Sequence, residues 1–368
     1  MEEERYTIPY QFAKSAEKHW NRPMLAYVSE SPYTYREAET LIKSLISFLT
    51  RLGVKKSTKV AILSENNPNW GISYLAITGM GAVVVPILPG FSAVETGNVL
   101  QHSETRCIIV SDKQMHKLKS LELPFLKHII DIDDFAIVSG EKTAYYQYGK
   151  FDNNGFKVYE DDLAAIIYTS GTTGKSKGVM LSHRNICFTV HSSGILQPIE
   201  PSDRFLSLLP LSHTYENSLG FLLPVFNGAS VYYMKQAAAP SVMLKALKEV
   251  KPTMMLTVPM IIEKIYRNRI APSFKKNKLI ARLYRNHNIK MLLHRIAGKK
   301  LMKTFGGKIR FFGVGGAKLD PVVEQFLLDA RFPLAIGYGL TETAPCLPVP
   351  VPVLHGCSLP DLPFRALN

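Results

Sequence analysis

Ten consecutive residues, TSGTTGKSKG at 169–178, hold five hydroxyl side chains, three glycines and two lysines. Glycine lets the backbone approach an anion closely and turn its N–H groups inward. The hydroxyls of Thr169, Ser170, Thr172, Thr173 and Ser176 can donate to phosphate oxygens, and Lys175 and Lys177 can offset polyphosphate charge. A surface loop of common composition would read the same way. The position directly after the apolar run AAIIY (164–168) favours phosphate. A Walker A loop is excluded, because it needs four residues between its first glycine and the Gly-Lys-Ser/Thr, and here only two separate Gly171 from Gly174. GVGGAK (313–318) and GYGLTE (337–342) both fail GxGxxG at the sixth position, so a dinucleotide fingerprint is absent too.

These residues need a scaffold, and the chain describes one. Short β-branched or aromatic runs recur at KVAIL (59–63), CIIV (107–110), AAIIY (164–168), RFLSLL (204–209), SVYYM (230–234), TMMLTV (253–258), KIRFFGV (308–314) and PLAIG (333–337). Helix-patterned segments alternate with them. In TYREAETLIKSLISFLTRLG (34–53), Thr34 and Glu37 form a capping box and Gly53 stops the helix. DPVVEQFLLDA (320–330) opens with Asp at the cap and Pro321 at the first helical position. This alternation predicts an α/β fold with helix-covered, mostly parallel sheets. Asn66 to Val94 carries no charge, but its prolines and glycines divide it into a buried helix and a central strand, VVVPIL, rather than a membrane span.

The 368 residues are 46% hydrophobic and 20% charged, which excludes disorder as the main state and allows roughly two to three domains. Cys107, Cys187, Cys346 and Cys357 are too scattered for a disulfide framework and show no CxxC spacing. The acidic start MEEERYTIPY lacks the pattern of a signal peptide, so a reducing cytoplasm is the expected compartment. The net charge of +14 is concentrated: residues 251–310 hold 16 Lys and Arg against the single acid Glu263. Such a segment reads as a nucleic-acid footprint, an anionic-membrane patch, a landing surface for polyphosphate, or simply a solvated helical face.

The loop, with its flanks YTSGTTGKSKGVMLSHRN (168–185), resembles the signature of the AMP-forming acyl and aryl ligases, the superfamily of acyl-CoA synthetases and firefly luciferase. LPLSHTYE (209–216), GVGGAKL (313–319) and GYGLTET (337–343) resemble three further motifs of that family, in the family's order. The opening ENNPNW (65–70) resembles the long-chain fatty acyl branch. The resemblance implies a large N-terminal adenylation domain over 1–345, with a first α/β half to about 160 and a second from 161. It implies a reaction in which a fatty-acid carboxylate attacks the α-phosphorus of ATP, after which CoA displaces AMP from the acyl-adenylate. Thr169 and Glu342 would hold Mg²⁺. Thr169, Ser170, Gly171, Thr172, Thr173, Gly174 and Lys175 would wrap the β- and γ-phosphates, and Thr341 would reach the α-phosphate. Tyr338, followed by Gly339, would stack on adenine against a wall of Gly315, Gly316 and Ala317. His213 would sit beside the acyl carboxylate. The segment 251–310 would lie near the acyl and CoA entrance, where Lys and Arg stems can rest on an anionic bilayer; no nucleic-acid motif accompanies its charge.

After Ala344 the family pattern stops. The ribose-binding aspartate, the hinge and the small C-terminal domain with its lysine have no match, and Cys346–Asn368 is a proline-rich tail without helical or strand period. The expectation is a truncated chain whose tail comes from a disrupted reading frame. The nucleotide sequence beyond codon 345, read in the other two frames, checks this: one of them should resume with those three elements.

Overall fold

The computed structural model describes residues 5–119, 121–141, 144–151, 155–169, 177–235, 239–274, 278–339, 341 and 347–349, with the backbone alone for Tyr338 and 347–349. In chain order its strands are β1 (Pro23–Tyr27), β2 (Tyr33–Thr34), β3 (Lys59–Leu63), β4 (Val83–Ile87), β5 (Cys107–Val110), β6 (His128–Asp131), β7 (Ile137–Ser139), β8 (Leu163–Thr169), β9 (Lys177–Ser182), β10 (Arg204–Leu206), β11 (Ser230–Tyr233), β12 (Met254–Thr257), β13 (Phe311–Val314), β14 (Leu334–Tyr338) and β15 (Leu347–Val349). They form two sheets, ordered β7-β6-β5-β3-β4-β8-β9 and β15-β14-β13-β12-β10-β11-β1-β2. Each sheet is parallel within and ends in antiparallel edge strands. The parallel interiors are apolar on both faces, as helix-covered parallel strands must be; all five residues of β4 are buried.

The two sheets exchange strands across the expected division near residue 160. β1 and β2 join the second sheet, while the β8–β9 hairpin completes the first. The charge-free stretch forms the helix Pro68–Gly79, started by the Asn67 side chain accepting the N–H of Trp70, followed by β4. Among the described residues no helix is long and apolar enough to cross a membrane. Trp70 stacks on Tyr74 at 5.4 Å and meets the edge of Phe221 at 6.2 Å, which packs a helix of the first sheet against a segment of the second. Gly71 keeps that contact open, since a Cβ there would sit 2.8 Å from the Phe221 ring.

Local signals were reliable. The capping box of Thr34 and Glu37 closes in both directions on the helix Tyr35–Arg51, and Asp320 caps Pro321–Asp329. RFLSLL is a strand only to Leu206, because the chain then turns away from the sheet. The tail, read as lacking any strand period, contributes β15. Pro348 is tolerated there because an edge strand has no further neighbour requiring its N–H.

The two ends of the second sheet are held by different chemistry. At the N-terminal ends of its central strands, the buried carboxylate of Asp203 joins three of them. Arg310, just before β13, donates from Nε to Oδ1 at 2.8 Å and also pairs through its terminal nitrogen. Thr253, just before β12, donates its hydroxyl at 2.7 Å, and the N–H of Glu200 adds a bond of 2.8 Å. Burial alone would raise the Asp203 pKa; Arg310 and Thr253 outweigh it and hold the carboxyl below its usual value.

Beyond the C-terminal end of β10 the bonds centre on a neutral acid. Asn66 Nδ2 donates to the Ser207 hydroxyl at 2.9 Å and to the Leu209 carbonyl at 2.6 Å, and its Oδ1 accepts the N–H of Leu211 at 2.9 Å. Ser207 in turn donates to Glu216 Oε1 at 2.6 Å. Glu216 is 1% exposed, and among the described residues its Oε2 has no hydrogen-bond partner. Burial pushes its carboxyl up to about 8, against the small opposing effect of the Ser207 bond, so the group is protonated at neutral pH.

Two stability outcomes are expected. Asp203→Ala, which removes the buried carboxylate that Arg310, Thr253 and the Glu200 N–H share, should cost about 1–3 kcal/mol in urea unfolding, because the exposed Arg310 can be solvated. For Glu216, the folded chain holds a proton up to pH about 8 that the unfolded chain releases near the ordinary value of 4.5. Stability should therefore fall as pH rises through that window, by at most about 1.4 kcal/mol per pH unit from this group. Glu216→Gln should remove that component; an unchanged slope in the variant would mean that Glu216 does not hold the proton.

Candidate functional site

The order of the second sheet reverses beside β10, whose neighbours are β11 on one side and β12 on the other. In open α/β sheets, ligands bind outside the carboxyl ends of the strands at such a reversal. The motif residues all follow strand C-termini. Residues 207–216 follow β10, 315–317 follow β13, 339–341 follow β14, and the hydroxyl-rich loop follows β8.

His213 lies in the turn after β10, its N–H bonded to the Pro210 carbonyl at 2.9 Å. Its Nδ1 accepts the N–H of Tyr215 at 3.2 Å, which leaves the ring proton on Nε2. The side chain is open to solvent, yet the protein packed around it disfavours the charged ring and lowers its pKa below the ordinary histidine value. A neutral imidazole with an available Nε2–H is a hydrogen-bond donor suited to a carboxylate.

Immediately after His213 the chain winds into a π-helix, Glu216–Leu222. Such wide turns are rare overall but frequent at functional sites, and a second one here spans Tyr266–Ile270. Here the wide turn accommodates Glu216: a Cβ at Gly220 would lie 2.6 Å from the Glu216 carboxyl carbon, so glycine is required for the acid to fold against its own helix.

Tyr215 and Thr214 bring three motifs together. The Tyr215 ring lies under the strand that leads into GVGGAKL, where a Cβ at Gly313 would be 3.0 Å from its hydroxyl oxygen and one at Gly315 3.0 Å from its ring. Those two glycines permit close approach of backbone to ring. Gly315 donates its N–H to the Thr257 carbonyl at 3.0 Å, and Gly316 has φ +83°, a left-handed conformation that favours glycine. Gly316 and Ala317 are exposed, so they present an open shelf. The Thr214 hydroxyl lies 3.5 Å from that of Thr341. Gly339 is exposed beside it, and the backbone of Tyr338 ends β14.

The fourth motif enters from the other sheet. Thr169 is the last residue of β8 and pairs with Lys177, the first of β9, so the loop is the connection of an antiparallel hairpin. Ser170, Gly171, Thr172, Thr173, Gly174 and Lys175 lie outside the described residues, as does Glu342. Gly178 has a packing reason instead: opposite Tyr168, a Cβ there would lie 2.9 Å from Ile166.

Sequence reasoning passed over Asn66, Ser207, Tyr215 and Glu216 as site residues. One signal was available. Between Arg204 and Lys235, Glu216 is the sole Asp, Glu, Lys or Arg, and a lone acid in an apolar stretch is a candidate for burial. Tyr215 lies inside the LPLSHTYE motif, but its partners Gly313 and Gly315 lie about a hundred residues away, so the motif alone assigned it no role.

The profile of the AMP-binding enzyme family matches residues 12–361. The long-chain-fatty-acid–CoA ligase heimdall of Drosophila melanogaster is 27% identical over 92% of this chain and 57% of its own length. The chloroplastic long-chain-fatty-acid–[acyl-carrier-protein] ligase AEE15 of Arabidopsis thaliana is 26% identical over 92% of this chain and 56% of its own. The chain therefore spans just over half the length of these curated relatives. Among solved structures, the anthranilate CoA ligase AuaEII in complex with anthranoyl-AMP superposes with a TM-score of 0.74, at 20% identity, over 93% of this chain and 60% of that one. Two mostly parallel, helix-flanked sheets with the motifs at their strand ends make this the N-terminal adenylation fold of AMP-forming ligases. On the family match across most of its length, the chain belongs to the AMP-binding enzyme family.

Proposed function

We propose that this chain carries the adenylating half of a ligase that activates a long-chain fatty acid with ATP and passes the acyl group to CoA. The observation that supports this reading best is that the His213–Tyr215 turn meets two other motifs at the strand reversal, Tyr215 lying against Gly313 and Gly315 and Thr214 lying 3.5 Å from Thr341. The carboxylate is already an anion, so the first step needs no general base; it needs orientation and neutralisation of phosphate charge. Neutral His213 would donate to the carboxylate without trapping it in an ion pair. Gly315, Gly316 and Ala317 would form a wall for the adenine, Gly316 and Ala317 being exposed, and Tyr338 would stack on the base. Thr341 would reach the α-phosphate, while the 169–175 loop and Lys175 would take the β- and γ-phosphates. Thr169 and Glu342 are hard oxygen donors of the kind Mg²⁺ selects, and the ion would supply charge neutralisation on the polyphosphate. Long-chain fatty acid as substrate and CoA as acceptor rest on the names of the curated relatives; the acyl-carrier-protein ligase among them makes the acceptor a separate question.

Fatty-acid-dependent ATP–pyrophosphate exchange across a panel of chain lengths tests the reading, with long chains expected to be preferred. Lys175→Ala should weaken Mg·ATP binding by about 1–3 kcal/mol in calorimetry, the range for a lost charge-assisted bond. His213→Ala should raise the fatty-acid requirement more than the ATP requirement. Nucleotide binding without exchange would favour a nucleotide- and acyl-binding module instead, and a folded chain that binds no nucleotide would sink both.

A further inference from the structure

The basic segment left four readings open, and the placement of its apolar residues separates them. The helices Lys278–Leu283 and His287–Thr304 flank a short turn and share one anchor. The Tyr284 hydroxyl lies 2.6 Å from His294 Nε2, and His294 Nδ1 lies 2.8 Å from Asp329 Oδ2. Phe274 stacks on Tyr284 at 4.9 Å, and Gly298 lets the longer helix approach so closely that a Cβ would lie 2.6 Å from that of Ala330. The inner face is thus fixed to the domain through His294, Gly298 and Leu301.

The outer face is unlike an ordinary solvated helix. At 100° per residue, Leu292, Ile296, Lys299 and Lys303 point away from His294, the first two being 57% and 45% exposed. On the shorter helix, which buries no residue, Leu279 is 63% and Leu283 40% exposed. Around these four large apolar side chains stand the exposed cations Arg282, Arg285, Arg295, Lys299, Lys300 and Lys303, none in an ion pair among the described residues. The segment's one acid, Glu263, pairs with Arg267, which also binds Asp320. A landing site for free polyphosphate or a nucleic-acid footprint needs the cations but gains nothing from exposed Leu and Ile. A surface that offers both an anionic layer and an apolar layer beneath it uses all of them.

We propose that this two-helix face docks on an anionic lipid bilayer. Leu279, Leu283, Leu292 and Ile296 would enter the headgroup boundary, and the arginine and lysine heads would meet lipid phosphates. The docking rests on the surface chemistry of the two helices and is independent of the ligase reading. The test is flotation of the chain with phosphatidylcholine vesicles, with and without phosphatidylserine, at low and high salt. Binding should require phosphatidylserine and weaken with salt as screening sets in. The double variant Leu292→Glu/Ile296→Glu and the double variant Lys299→Glu/Lys303→Glu should each lower partitioning by about tenfold or more. Circular dichroism and the thermal midpoint should be unchanged in both, since these side chains are exposed. Absent binding, or equal partitioning to both vesicles, overturns the proposal. So does loss of binding in the lysine variant alone, especially if that variant also loses affinity for a single-stranded RNA probe; a nucleic-acid surface would then be the account.

Discussion

A carboxyl group taken out of water and given no cation must either ionise at great cost or keep its proton. Glu216 keeps its proton, and the shape of the site follows from how that neutral acid is housed. Ser207 bonds one oxygen, Asn66 bonds Ser207, and Asn66 also ties down the backbone at Leu209 and Leu211. The turn carrying His213, Thr214 and Tyr215 is therefore fixed at both of its ends. Gly220 supplies the missing volume, and the π-helix supplies the wider turn.

The two ends of the second sheet divide the work. At the N-terminal ends a charged pair, Asp203 with Arg310, ties β10, β12 and β13 at one level, where nothing has to move. At the C-terminal ends the polar groups are neutral and the backbone is rich in glycine, leaving room for ligands that bring their own charge.

The excess charge of the chain sits on neither end. Much of it lies on the helices Lys278–Leu283 and His287–Thr304, and the longer one is anchored on its inner face by the His294–Asp329 contact.

Local structure was legible in the sequence wherever one short segment decides it. The capping boxes, the prolines at helix starts and the apolar strand runs depend on neighbours within a few residues, and the phosphate loop and three partner motifs could be placed in order. Even the edge strand β15 obeys a local rule, since its proline restricts it to an edge. What the sequence could not carry was any relation between distant segments: that β1 and β2 close the second sheet, that Gly315 is small because Tyr215 lies beneath it, that Asn66 grips Ser207. The net charge of 251–310 was countable, but its meaning was not, because the same lysines and leucines suit a core face or a surface face until the fold decides which points outward. Propensity and capping act over one helical turn, whereas packing and burial act between residues up to hundreds of positions apart, so only the tertiary structure determines which acid is buried, which glycine is needed and which leucine is exposed.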